Sequence, residues 1–140
     1  MKLNKLTPNF EVPDIRKTVH FYQSVLGFSP AMAVPETQDG VHETLAEGVE
    51  YVYAMVKNGD VELMFQRSDS FKHDVQLSSA ELIGASVSFY MEVVGLDELY
   101  AQIKDNVQAI TPIKTTWYGM KEFYMKDMNG YILAFGEQSK

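Results

Sequence analysis

One structural unit is written twice in these 140 residues. Each copy reads as a strand, an amphipathic helix, and then strands ending in a hairpin marked by Asn-Gly. In the first copy, Phe10-Glu11-Val12-Pro13-Asp14 leads into a helix that closes at Leu26-Gly27-Phe28, and Asn58-Gly59 marks the later hairpin. In the second, a strand from Val87 to Val93 leads into a helix through Leu96, Leu99, Tyr100 and Ile103, with Asn129-Gly130 further on. Neither copy buries a full core alone, and two curved sheets that pair leave a groove between them. The repeat therefore predicts a place for a ligand before any reactive group is identified.

The local patterns fill in this plan. Residues 6 to 12 alternate, with Leu6, Pro8, Phe10 and Val12 on one face and Thr7, Asn9 and Glu11 on the other. Asp14 stands at a helix N-cap, Ile15, Val19, Tyr22 and Leu26 form one apolar stripe, and Gly27 supplies the left-handed C′ position. Residues 35 to 48 read as a loop, followed by strands at about 49–57 and 61–66 around Lys57-Asn58-Gly59-Asp60. Residues 67–79 are polar and read as linker, with a short helical turn expected at 80–84. The second half predicts a helix at 95–105 and strands near 109–115, 120–127 and 131–137. The expected organisation is one domain over 1–140, with module one at about 5–66, a linker at about 67–84 and module two at about 85–138.

If the apolar faces pack on the helices, the opposite faces line the groove. Alternation assigns to that lining Thr7, Asn9, Glu11, Glu62, Met64 and Gln66, joined by Tyr51, Tyr53 and Met55. From the second half it assigns Ser86, Ser88, Tyr90, Glu92, Glu122, Tyr124, Ile132, Ala134 and Gly136, with Trp117 and Tyr118 at one end. Tyrosines, methionines and a few carboxylates suit an organic ligand of moderate size.

Bulk properties exclude several classes. No cysteine is present, which removes disulfides, thiolate metal sites and a cysteine nucleophile. A net charge of −7 argues against nucleic-acid binding, where phosphates need a basic surface, and is compatible with a cationic ligand or with simple solubility. The apolar runs are too short for a membrane span, and Met1-Lys2-Leu3-Asn4-Lys5 lacks the apolar stretch of a signal peptide, so a cytoplasmic protein is expected. No phosphate-binding glycine loop or serine elbow is found.

Pro13-Asp14-Ile15, Phe21-Tyr22 and Leu26-Gly27-Phe28, followed by Trp117-Tyr118-Gly119, Phe123-Tyr124 and Asp127-Met128-Asn129-Gly130-Tyr131, resemble the paired motifs of the vicinal oxygen chelate superfamily. That superfamily includes glyoxalases, extradiol dioxygenases, fosfomycin-modifying enzymes and bleomycin-resistance proteins. The resemblance covers nearly the whole chain. It implies an α+β fold of two βαβββ modules pairing around a groove, and a homodimer.

The resemblance also implies four metal-ligand positions, normally His, Glu or Gln, around one divalent ion. Carried onto this sequence they fall on Thr7, Glu62, Ser88 and Ala134. Glu62 matches and Ala134 has no donor, so the usual site reads as lost, with no metal and no cofactor expected. His20 reads as a surface helix residue, whereas His42 and His73 sit in loops, as solvated side chains or as lid residues or bases.

Three readings follow. The first is a metal-independent protein that holds a small organic, aromatic or cationic ligand against Tyr51, Tyr53, Glu62, Met64, Gln66, Ser88, Tyr90, Trp117, Tyr118, Glu122 and Tyr124. The second is a divergent metal-dependent lyase, isomerase or dioxygenase using Glu62, the candidate catalytic group. The third uses the groove mainly as an assembly surface; Trp117 and Tyr118 themselves read as stacking groups for a planar ligand or as core or dimer contacts.

Overall fold

The computed structural model describes all residues except 3, 77–86 and 140, and the chain divides into two compact units, Met1–Ser79 and Ala80–Lys140. The helical turn expected at 80–84 and the groove position Ser86 lie outside the described residues.

The first unit runs β1 (Asn9–Val12), α1 (Ile15–Leu26), β2 (Ser29–Pro35), β3 (Tyr51–Asn58), β4 (Val61–Arg67) and α2 (Ser68–Val75). Its sheet has the order β1-β4-β3-β2, with β1 parallel to β4 and the other pairs antiparallel. The Asp14 carboxylate accepts from the Lys17 N–H at 2.9 Å and so starts α1. Gly27, at φ 71°, ends it in the left-handed conformation that a side chain would disfavour. Asn58, a hairpin residue, adds a second cap by donating to the Leu26 carbonyl at 3.2 Å. The helix buries Ile15, Thr18, Val19, Tyr22 and Leu26 against β3 and its neighbours, where Phe10, Ala54, Val56, Leu63 and Phe65 complete the core.

The second unit repeats the plan as β5 (Ser88–Glu92), α3 (Leu96–Ile103), β6 (Ala109–Ile110), β7 (Lys114–Thr115), β8 (Met120–Lys126) and β9 (Ile132–Gln138). Its order is β5-β9-β8-β6, with β5 parallel to β9 and β7 also paired to β8. The second strand of the module is thus broken in two around Pro112, which has no N–H to give a ladder. The Glu137 carboxylate accepts from the Gly95 N–H at 2.7 Å and covers the start of α3. Leu96, Ile103, Phe123, Met125, Leu133 and Phe135 form the core.

Two elements differ from the sequence reading. Residues 29–35 form an edge strand, and residues 68–75, read as polar linker, form a helix that folds back on β1 and β4. Among the described residues no helix is long and apolar enough to cross a membrane.

Candidate functional site

Each sheet has one face covered by its long helix and one turned away from it, and the candidate residues lie mainly on the second kind of face. In the first unit, β-pairing sets Asn9 beside Met64, Glu11 beside Gln66, Met55 beside Met64 and Tyr53 beside Gln66. Tyr53, Glu62 and Met64 are half-buried there. Burial raises the Tyr53 phenol above its usual range, and the nearby Glu62 charge adds to the rise.

Three side chains of this unit are already engaged. Glu62 is ion-paired to Lys5, whose hydrogen bond holds the carboxyl below the ordinary range, and Lys57 stands directly across the ladder. Gln66 is buried, accepts from Asn9 at 2.9 Å, and donates to Ser70 at 2.9 Å and Asp74 at 2.7 Å. Tyr51 is also buried, with its hydroxyl at 2.7 Å from His42 Nδ1 and accepting from the Ala46 N–H at 2.8 Å. His42 is fixed further by two backbone bonds to Ala33, of 2.7 and 2.8 Å. It is an anchor of the 36–50 loop rather than a swinging lid residue. His20 is exposed on α1 and His73 is exposed on α2.

The second unit holds a tighter cluster. Glu122 is only 5% exposed, and its carboxylate accepts from the Tyr90 hydroxyl at 2.6 Å and from the Tyr118 hydroxyl at 2.9 Å. Donation to Glu122 keeps both phenols protonated and raises each above its usual range. The pairing puts Glu122 and Glu92 opposite Gly136, and Tyr90 and Tyr124 opposite Ala134. Tyr90 lies across the bare Gly136 backbone, where a Cβ would fall inside its ring and hydroxyl. Ser88 is exposed on β5, and Trp117, 94% exposed, meets Tyr118 edge to face at 5.2 Å. Beside this cluster lies a cavity of about 320 Å³ lined by Thr111, Pro112, Ile113, Lys114, Glu122 and Tyr124.

Sequence alternation placed Glu122, Tyr124 and Tyr90 on one face, and the register agrees. It missed the cavity wall from 111 to 114, because that wall is made by a broken strand. The Pro112 signal was present in the sequence but does not by itself mark a cavity.

The four positions that the superfamily resemblance assigns to metal ligands carry a hydroxyl in Thr7, a Lys5-paired carboxylate in Glu62, a hydroxyl in Ser88 and no donor in Ala134. Two neutral hydroxyls and one neutralised carboxylate do not fit a catalytic divalent ion, which takes about three strong ligands. Among the described residues no other group of three His, Asp or Glu side chains gathers around one point.

Two βαβββ units, each with a helix on one sheet face and polar and aromatic groups on the other, define a two-module α+β protein. The chain belongs to the Glyoxalase/Bleomycin resistance protein/Dioxygenase superfamily, whose family model matches residues 7–135. The bleomycin resistance protein of Geobacillus stearothermophilus is 27% identical over 136 residues, covering 95% of this chain and 96% of its own. A solved bleomycin-binding protein from bleomycin-producing Streptomyces verticillus, complexed with copper(II)-bleomycin, matches at TM-score 0.59 and 20% identity over 100% of this chain and 98% of that one. A glyoxalase-related enzyme from Clostridium phytofermentans matches at TM-score 0.67 and 18% identity, over 99% and 97%. The two structural likenesses speak for the fold.

Proposed function

We propose that this chain is a metal-independent small-molecule-binding protein that holds an organic ligand against the sheet faces turned away from its helices. On this reading modules at about 5–66 and 85–138, joined by 67–84, form one domain that works in the cytoplasm as a homodimer. The observation that carries it is the Tyr90–Glu122–Tyr118 cluster, with Trp117 and Tyr124 exposed beside it, on a sheet face turned away from the helix. Such a surface offers stacking and one strong polar anchor without a reactive group poised for chemistry. Relatives described as bleomycin resistance proteins support a role toward a small organic compound. The metal-dependent alternative rests on Glu62, which is already neutralised by Lys5.

The chain has a single tryptophan, Trp117, which makes the test direct. Chelator-treated protein titrated with bleomycin and a panel of aromatic amines is expected to show a saturable change in Trp117 fluorescence at micromolar ligand. No response to any compound, or a response that appears only after a divalent ion is added, would overturn the reading.

A further inference from the structure

Glu62 and Glu122 both stand on sheet faces turned away from the helices, and their charges are balanced differently. Glu62 has Lys5 bonded to it and Lys57 across the ladder, so its field is largely cancelled at the source. Glu122 accepts from two neutral phenols and, although Lys114 stands across its ladder as Lys57 does from Glu62, it forms no ion pair among the described residues. Because both phenols donate, both oxygens act as acceptors, and a carboxylate offers about four lone-pair sites, so acceptor capacity is left over. A nearly buried anion with neutral hydrogen-bond partners attracts a cation more strongly than one already held in an ion pair does.

We propose that Glu122 anchors an organic monocation, an alkyl- or arylammonium whose apolar body enters the cavity beside β8; this deepens the ligand-binding reading above and rests on it. The cavity fits such a molecule: Pro112, Ile113 and the methyl of Thr111 receive the apolar part, and the Tyr124 ring, 40% exposed, offers a π face to the charged head. An anionic ligand would meet an unpaired carboxylate. Gly136 is the positioning residue, since its missing side chain lets Tyr90 lie flat enough to reach Glu122. Lys114, across the ladder from Glu122 and lining the same cavity, is the internal competitor for the anion.

Calorimetric titrations of the full chain with phenethylammonium, phenethyl alcohol and 3-phenylpropionate compare one aromatic body with three heads. The cation is expected to bind at least about tenfold tighter than the alcohol, and the carboxylate most weakly. Glu122→Gln should abolish the preference for the cation over the alcohol, whereas Glu62→Gln should keep it. Lys114→Met, at an exposed position that leaves the fold alone, should tighten the cation severalfold, which keeps the test valid if Glu122→Gln folds poorly. Equal binding of the three probes, a preference that survives Glu122→Gln, or one lost in Glu62→Gln would overturn the anchor. So would failure of all three to bind at millimolar concentration. The ligand-binding reading falls only if bleomycin and the amine panel also leave Trp117 unmoved.

Discussion

Glu62 and Glu122 were equivalent as letters on alternating strands, and their surroundings separate them. The partner that neutralises Glu62 is Lys5, 57 residues away, so no local pattern could reveal it. The partners of Glu122 were more legible, since alternation placed Tyr90 and Tyr124 on its face and Tyr118 lies four residues before it. The tyrosine cluster makes a pH prediction. Tyr90 and Tyr118 are raised above their usual 10, so the stabilisation from their bonds to Glu122 is complete below pH 10. It is lost as pH rises through the raised values, because the folded protein then gives up protons that the bonds held. Alkaline titration of phenolate absorbance should show Tyr53, Tyr90 and Tyr118 ionising late, and Glu122→Gln should bring Tyr90 and Tyr118 back toward 10 while leaving Tyr53 late. An unchanged profile in that variant would contradict the assignment.

At the scale of the elements, strong periodicity and explicit caps made α1 readable, with Ile15, Val19, Tyr22 and Leu26 buried as their spacing requires. Asp14→Ala removes the side-chain acceptor at its start and should lower stability by about 1 kcal/mol, read from denaturant unfolding. Two elements were hidden. The strand β2 begins Ser29-Pro30 and ends at Pro35, a composition that reads as loop; it is tolerated because β2 is an edge strand. The helix α2 is short and polar, with no side-chain cap, and tertiary contact rather than propensity accounts for it. Gln66 ties it down through Ser70 and Asp74. Gln66→Leu should therefore cost about 1–3 kcal/mol and speed amide exchange across residues 68–75 before the rest of the first unit.

For the whole molecule, the repeat in the sequence announced two sheet-and-helix units, and both are present with matching strand order. The ligand's identity was not legible, because alternation assigns side chains to faces without showing which are already satisfied by one another. If the proposed homodimer is correct, sedimentation at micromolar concentration should give twice the 15.9 kDa chain mass, and a monomer at all concentrations would contradict it. The central claim is that the ligand is held without a metal. Its most direct test is the metal-to-protein ratio of the untagged protein, as purified and after incubation with Zn, Ni, Mn or Fe(II) and desalting. The account predicts far less than one ion per chain in every case. About one tightly held ion per chain, lost in Glu62→Ala, would contradict it.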